Sequence, residues 1–261
     1  MKLKFKNPPI NEVVLGVYFD REIVELKLEH VGLFWSLLRD RYPTVEQHPP
    51  VTPPLPFGSQ FNTESSAEYF PMPRFWLKAA DDRMLVQIQR NAFLQNWRRR
   101  EGRYPHYDAV KACFDSNFDE FVGFLSRELS VSPNVQLAEL TYVNVIEACE
   151  YWQNPGDTAK VIPGFSLPIA VEGAEPHKTD FNQVTYQSVR DDLGIRITIR
   201  SGRRAQEPDT ALIFELRALG LLGGASKADA DEWFIEAHEV IGETFLRLTN
   251  PEIQQKYWQP E

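Results

Sequence analysis

The chain has 261 residues, of which 28 are basic and 37 are acidic, so its formal net charge is −9 at neutral pH. A hydrophobic fraction of 43% with 12% aromatic residues excludes a disordered chain, because it supplies enough apolar surface for a core. The negative charge disfavours general attraction to nucleic acid. The length suits one large domain or two small ones.

Hydropathy and cysteine content exclude further classes of protein. No segment approaches the roughly 18 apolar residues of a membrane-spanning helix, and residues 1–6 turn polar before a signal-peptide core could form. We therefore expect a cytoplasmic protein that does not engage a membrane. Cys113 and Cys149 form no CxxC pair, so the sequence predicts neither a disulfide framework nor a thiolate metal site. We expect no cofactor and no bound metal.

The first part of the chain predicts a strand, a helix and a loop. Residues 12–19 are rich in β-branched and aromatic side chains, which is typical of a strand. Residues 30–41 predict a helix whose buried face is formed by Val31, Phe34, Leu37 and Leu38. Residues 43–73 hold eight of the 19 prolines. Because proline removes a backbone donor, we expect a long ordered loop packed over its own domain rather than a central strand.

The middle of the chain predicts a hairpin and a long helix. Residues 74–90 alternate in polarity around the turn 81–83, which is typical of a hairpin, and we expect residues 91–97 to continue its second strand after a bend. After Pro105 a helix is predicted by large apolar residues at helical spacing: Tyr107, Val110, Phe114, Phe118, Phe121 and Leu125.

The last part of the chain predicts more strands and a closing helix. Residues 135–148 form a long strand candidate, and two further strands are expected after the Asp191–Gly194 turn region. Their inward residues are Ile195, Ile197, Ile199, Leu212, Phe214 and Leu216. A helix is predicted from Lys227, preceded by a capping box at Ser226 and Asp229. Its buried stripe comprises Phe234, Ala237, Ile241, Phe245 and Leu248.

The order of these elements indicates an α+β fold. Strands occur in hairpin-like runs instead of alternating with helices, so we expect a curved antiparallel sheet with helices packed on one face. The sequence favours a single domain over residues 1–261, with a division near residue 150 into two similar halves as the alternative.

Segments spread along the whole chain resemble one family. They are Asn7–Val14, His30–Trp35, Gln89–Arg98, Tyr104–Tyr107 and Glu139–Asn144, with His238, Phe245, Leu248, Thr249 and Trp258 near the end. In these segments the chain resembles the TIGR04255 family of sporadically distributed bacterial proteins. The resemblance implies a single full-length domain and no particular reaction. By association with that patchy distribution, it also implies an accessory component of a mobile or defence-type gene cluster.

Sequence motifs for common chemistries are missing. The chain has no Walker-type loop, no dinucleotide-binding glycine motif and no GxSxG nucleophile elbow. The segment His238–Gly242 begins like a zinc-protease motif, but a glycine stands where the second histidine is needed. Four carboxylates, Glu232, Glu236, Glu239 and Glu243, share one side of the last helix. We expect these four carboxylates to form a solvated acidic face of the helix.

The most distinctive polar feature is a basic and aromatic segment. It comprises Arg90, Trp97, Arg98, Arg99, Arg100, Arg103, Tyr104 and His106. Guanidinium groups neutralise phosphates and aromatic faces stack on bases, so this segment is a candidate site for nucleic acid or a nucleotide. An acidic protein partner and a plain solvated face are the alternatives.

Three polar residues interrupt the long predicted strand. Tyr142 and Asn144 share one face of that strand, whereas Glu139 lies on the other because its spacing from Tyr142 is odd. If buried, such groups must be hydrogen-bonded, either in a structural network or as convergent groups in a binding pocket.

We therefore expect a non-catalytic binding or interaction protein whose partner is another protein or a small ligand. The alternative is an enzyme acting on a nucleotide or nucleic acid, with Arg90 or Arg98 holding phosphate and Glu139 as general base. A homodimer is a third hypothesis, and it predicts an apolar patch along the last helix at Trp233 or near Trp258.

Overall fold

The computed structural model describes residues 4–54, 72–167, 171–203, 210–225 and 227–261, which form nine strands and five helices. The strands are β1 (Ile10–Phe19), β2 (Thr44–His48), β3 (Arg74–Lys78), β4 (Met84–Gln89), β5 (Ala92–Arg98), β6 (Val135–Ile146), β7 (Asn182–Arg190), β8 (Leu193–Arg203) and β9 (Thr210–Ala225). The helices are α1 (Leu28–Leu38), α2 (Tyr107–Leu129), α3 (Thr158–Val161), α4 (Lys227–Leu248) and α5 (Pro251–Ile253).

All nine strands form one open antiparallel sheet in the order β2-β3-β4-β5-β1-β6-β9-β8-β7. The strands β1 and β6 pair at its centre. Outward from β1 lie β5, β4, β3 and β2, and outward from β6 lie β9, β8 and β7. The helices α2 and α4 come after β5 and β9, which are the outer neighbours of β1 and β6. The chain therefore repeats one arrangement on both sides of the β1–β6 pair, within a single continuous sheet.

One face of the sheet packs against the helices and forms the core. Along β1 the side chains of Val13, Leu15, Val17 and Phe19 are buried on this face. Phenylalanines of α2 cover them: Phe114, Phe118, Phe121 and Phe124. The expectation of an α+β fold with a curved antiparallel sheet and helices on one face is confirmed.

The opposite face of the sheet is rich in polar side chains, and we call it the polar face. It is lined by Glu12, Arg74, Trp76, Gln87, Asn96, Arg98, Glu139, Arg196, Glu215 and Arg217, which alternate with core residues along their strands. A small apolar cluster of Tyr18, Ala92, Leu94, Leu137 and Leu219 lies among them. Several polar residues here are nearly inaccessible, including Gln87, Asn96 and Glu139 at 4% exposure.

Several boundaries differ from the sequence prediction. The helix α1 ends at Leu38, and Leu37 is 50% exposed rather than buried. Residues 44–48 form an edge strand, β2, where a loop was predicted. The prolines flank this short segment, so all of its own backbone N–H groups remain available for pairing. Residues 49–54 lack regular structure as predicted, and residues 55–71 of the expected loop lie outside the described residues.

The stretch 91–97 does not continue the preceding strand. The chain reverses at Arg90 and Asn91, and β5 pairs antiparallel with β4 from Gln89↔Ala92 onward. The prediction was wrong because a two-residue turn without glycine or proline leaves little trace in the sequence. The hairpin, the long helix, the long strand and the two predicted late strands, β8 and β9, are confirmed, whereas β7 was not predicted. The capping residue Ser226 lies outside the described residues.

Candidate functional site

The basic segment 90–103 does not form a single surface. Arg90 lies in the β4–β5 turn, where its Nε donates to the carbonyl of Leu26 at 3.2 Å. Arg98 lies at the other end of β5. The remaining arginines follow β5, and Arg103 is exposed. The two ends of the basic segment are therefore separated by the length of β5, and one small ligand does not contact both.

The two large aromatic residues of the segment are buried. Trp97 is 3% exposed and Tyr104 is 9% exposed, with their ring centroids 5.0 Å apart in an edge-to-face arrangement. Trp97 is packed in the core and offers no face on which a base could stack, so that part of the prediction was wrong, whereas Tyr104 lines a cavity on the helix side. The reason is strand alternation: Trp97 points to the core face, while its neighbours Asn96 and Arg98 point to the polar face.

A carboxylate in the β3–β4 turn neutralises much of the basic segment. Asp82 accepts hydrogen bonds from both Arg98 and Arg100. Burial alone would raise the pKa of Asp82, but the hydrogen bond from Arg100 and the charges of Arg98 and Lys78 lower it. Arg99 instead donates to the carbonyl of Pro8 at 2.7 Å. Arg98 and Arg100 are therefore paired within the chain, with a carboxylate of the neighbouring turn.

On the helix side, a cavity of about 290 Å³ lies between β6, β9, the start of α2, α4 and the segment 4–10. Its apolar walls are Phe5, Ile10, Leu216, Ile241, Phe245 and Leu246. Its polar groups are Lys4, Tyr104, His106, Asp108, Tyr142, Asn144, His238, Glu239 and Glu243. The cavity thus brings together three residues that the sequence singled out: Tyr104, Tyr142 and Asn144.

A hydrogen-bonded group of three side chains lines the cavity. The hydroxyl of Tyr142 lies 3.2 Å from the hydroxyl of Tyr104 and 3.1 Å from Nδ1 of His238. The imidazole of His238 stacks on the ring of Tyr107 at 3.9 Å. Burial raises the pKa of both Tyr104 and Tyr142. Both phenols are therefore neutral at physiological pH and act as hydrogen-bonding groups, not as phenolate nucleophiles or bases.

The backbone at the cavity edge is strained. His106 precedes the first turn of α2 with φ 68° and ψ 160°, a combination that is almost confined to glycine. Such conformations cost about 1–3 kcal/mol and persist where surrounding contacts hold them. They concentrate at binding and active sites. The strain at His106 therefore adds to the indications that this cavity is functional.

The charged groups around the cavity are mainly acidic. Asp108, Glu239 and Glu243 are exposed residues of its lining, and Lys4 is the lysine in the same lining. With aromatic rings beneath them, these carboxylates favour an uncharged or positively charged ligand over an anion.

Glu139 lies on the polar face and takes no part in this cavity. One of its oxygens accepts from the Tyr18 hydroxyl at 2.9 Å and the other from Thr141 Oγ1 at 2.8 Å. Arg217 is the cation beside it, with Nε 3.6 Å from the carboxylate. Along β1, Glu139 is opposite Gly16 whereas Arg98 is opposite Glu12. The structure therefore does not assemble the general base with Arg90 or Arg98 as the enzyme hypothesis requires.

The other candidates from the sequence are held in structural roles. Asn144 donates to the carbonyl of Phe214 at 3.1 Å, although it also borders the cavity. On the acidic helix face, Glu236 pairs with Arg190 and Glu243 lies 3.7 Å from Arg247. Over the described ranges, no three metal-ligating side chains come together. Trp233 and Trp258, each 2% exposed, belong to the core and not to an apolar dimer patch.

Sequence reasoning missed most of the cavity wall. The contribution of Lys4 and Phe5 depends on the N-terminal segment crossing to the carboxyl end of the chain, where Lys6 and Asn7 hydrogen-bond to the backbone of Gln259 and Trp258. His238 was considered in the sequence as half of a metal motif and as part of the family resemblance, but not as a binding residue. Its proximity to Tyr142 follows from the packing of α4 on β6, which no local pattern encodes.

On the polar face, Glu12 gives a prediction about pH. Burial raises the pKa of Glu12, although a hydrogen bond from Asn96 and the charges of Arg98 and Arg100 oppose the shift. An acid with a raised folded pKa binds its proton more tightly in the folded state, so folding loses stability as the pH rises through that value. We expect Glu12→Gln to raise the melting temperature at neutral pH and to have little effect at pH below the usual glutamate range.

The measurement is thermal unfolding of both proteins across that pH range. Glu150→Gln is the control with the opposite sign, because Lys256 lowers the pKa of this exposed carboxyl. An equal gain at acidic and neutral pH for Glu12→Gln would contradict the explanation by burial.

Within the described part of the chain, no helix is long and apolar enough to cross a membrane. Comparison of the chain with protein-family models, with curated proteins and with solved structures finds no match.

Proposed function

We propose that this chain is a non-catalytic binding protein that holds a small organic ligand in the cavity between the sheet and the helices α2 and α4. The observation that carries the proposal is the combination of an apolar wall with three linked hydrogen-bonding groups, Tyr104, Tyr142 and His238. Small-molecule sites are typically concave, largely apolar and equipped with a few convergent polar groups. The volume of about 290 Å³ suits a small ligand.

The ligand is uncharged or positively charged, with an aromatic or aliphatic body. Aromatic rings of Tyr104, Tyr107, Tyr142 and Phe245 surround the cavity, and aromatic faces attract cations. The carboxylates at the solvent side add to that preference. The Tyr142 hydroxyl and the His238 imidazole supply partners for a polar group on the ligand.

The state of the polar groups supports binding over catalysis. The phenols of Tyr104 and Tyr142 are held neutral by burial. The carboxylate of Glu139 is on the other face and accepts hydrogen bonds at both oxygens. The runner-up, an enzyme acting on a nucleotide or nucleic acid, needs Glu139 beside Arg90 or Arg98, and the cation beside it is Arg217.

The proposal also covers the compartment, the family and the partners of this chain. The cytoplasm is the proposed compartment, and the two cysteines are both free thiols, which suits a reducing environment. Membership of the TIGR04255 family and an accessory role in a gene cluster rest on the resemblance of the sequence segments. A protein partner or a homodimer is compatible with the exposed leucines of α1, Leu28, Leu33 and Leu37.

The test is binding of a panel of small aromatic and aliphatic amines, with size-matched carboxylates such as phenylacetate against phenethylamine. We expect at least one amine to raise the melting temperature in a concentration-dependent way, and its carboxylate counterpart to bind more weakly. At a ligand concentration 100 times the Kd, the stabilisation is about 2.7 kcal/mol, which is several degrees for a chain of this size.

A blocking variant links this binding to the cavity. Gly242 lies in α4 at the solvent side of the cavity, and a Cβ built there has no atom within 4 Å. We expect Gly242→Phe to fold and to abolish the amine-dependent shift. Gly32→Phe is the matched control, because Gly32 is also helical with open space around it but lies in α1. Undiminished binding by Gly242→Phe, or no binding by any amine, would overturn the proposal.

A further inference from the structure

We propose that Arg74, Trp76 and Arg98 on the polar face form a second site, which binds an oxyanion of the phosphate type. This site lies on the opposite side of the sheet from the cavity and does not depend on what the cavity holds.

The three residues are brought together by strand alternation and by ring contacts. Arg74 and Trp76 lie two residues apart on β3 and therefore share a face, while Arg98 ends β5 on that same face. The guanidinium carbons of Arg74 and Arg98 lie 5.4 Å and 5.6 Å from the centroid of the Trp76 ring. The imidazole of His48 also packs against this ring at 3.9 Å.

Each of the three residues has a buried N–H donor that finds no acceptor among the described residues. These donors are Nε of Arg74, Nε1 of Trp76 and Nε of Arg98. Buried polar groups in folded proteins are nearly always hydrogen-bonded, so three unpaired donors around one ring indicate a missing acceptor. All three groups can only donate, and the partner must therefore present several acceptor atoms.

The charges at the site are not balanced. Asp82 binds Arg98 but is shared with Arg100. Glu46 is occupied by Lys78 and His48, and Glu12, opposite Arg98 in the sheet, accepts a hydrogen bond from Asn96. Arg74 has Gln87 Oε1 as a neutral acceptor at 2.9 Å, and none of the described carboxylates lies within 4.0 Å of it.

The environment of Arg74 supports this interpretation. Burial lowers the pKa of Arg74, and only the electrostatic effect of Tyr18 opposes the shift. Gln87 is in turn fixed by donating to Asn96 Oδ1 at 2.7 Å, and Asn96 donates to Glu12 at 2.7 Å. This chain of hydrogen bonds holds the Arg74 guanidinium in place before any ligand arrives.

An oxyanion fits these groups better than other ligands. Guanidinium groups match phosphate and carboxylate oxygens in paired, charge-assisted hydrogen bonds. A phosphate group has enough oxygens to accept from three donors, and these three belong to two strands, β3 and β5. A cation is excluded by Arg74 and Arg98, and a purely apolar ligand would leave the donors unpaired.

The test is a titration of the full chain with inorganic phosphate, followed by the indole N–H resonances of its six tryptophans. Trp76→Phe assigns the relevant resonance, and the other five indole signals report whether that variant is folded. We expect the Trp76 signal to shift saturably with phosphate but not with sodium chloride at equal ionic strength. We expect Arg74→Gln to weaken phosphate binding about tenfold or more.

Arg83→Gln is the matched control. Arg83 is exposed in the neighbouring β3–β4 turn and pairs with Asp81, so its loss changes the net charge equally without touching the site. No phosphate-dependent shift of the Trp76 signal, the same shift with chloride, or equal weakening by Arg83→Gln and Arg74→Gln would overturn the proposal.

A further arm distinguishes the source of the phosphate. A nucleoside monophosphate is compared with inorganic phosphate and with the nucleoside alone. Tighter binding of the monophosphate supports an organic phosphate as the ligand, and equal affinity supports recognition of the phosphate group itself. Binding of the nucleoside as tightly as the monophosphate would contradict an oxyanion site.

Discussion

Replacing Phe121 with alanine is expected to lower the free energy of unfolding by about 3–5 kcal/mol, the usual cost of truncating a fully buried aromatic side chain. Phe121 is 0% exposed on α2. Its ring lies 5.2 Å from Phe34 of α1, 5.2 Å from Phe93 of β5 and 6.5 Å from Phe19 of β1. One side chain thus joins two helices to the centre of the sheet, and urea denaturation at constant m-value measures its loss.

A smaller replacement separates cavity formation from loss of ring contacts. Phe121→Leu keeps most of the volume and is expected to cost clearly less than Phe121→Ala, because cavity formation adds to the loss of buried surface. If Phe121→Ala cost under about 1 kcal/mol, typical of a surface substitution, the phenylalanine cluster would not be the contact that fixes α2 to the sheet.

The periodicity of the sequence was sufficient to predict most elements of this fold. The helix α2 was predictable because its apolar residues recur at helical spacing over 23 residues. In β8 and β9, inward apolar and outward polar residues alternate, which gave both the strands and their buried faces. Alternation also placed Tyr142 and Asn144 correctly on one face and Glu139 on the other.

A local chain reversal and several long-range contacts could not be predicted from the sequence. The reversal at Arg90 and Asn91 contains neither glycine nor proline, and the pairing of β1 with β6 joins positions more than a hundred residues apart. The three arginines that follow Trp97 suggested an exposed segment, but strand alternation buries that ring in the core.

Buried polar groups were equally hard to foresee. Gln95 is 0% exposed on the core face, where it accepts a hydrogen bond from Asn117 of α2 at 2.7 Å. A glutamine between Leu94 and Asn96 gives no sequence signal for that role. The oxyanion site was missed for a related reason: Arg74 and Trp76 gain significance only when β5 brings Arg98 to the same ring.

Gly220→Ala is expected to destabilise the fold by about 2–4 kcal/mol, which combines overpacking with the loss of a buried hydrogen bond. Gly220 lies on β9 opposite Ala138 of β6. A Cβ at this position would overlap the indole nitrogen of Trp233 and come within 2.5 Å of the carbonyl oxygen of Asp192. The indole of Trp233 donates to that same carbonyl at 3.0 Å, and this contact anchors α4 to the β7–β8 turn.

Gly32→Ala is the matched control for this substitution. Gly32 lies within α1 with no atom within 4 Å of a built Cβ, so alanine there is expected to stabilise the protein by about 0.5–1 kcal/mol through helix propensity. Chemical denaturation of both variants measures the contrast. Because α4 also carries His238 and Ile241 in the cavity wall, displacement of Trp233 should weaken amine binding in Gly220→Ala and leave it unchanged in Gly32→Ala. Equal stability of the two variants would show that α4 does not depend on the close approach of Trp233 to β9.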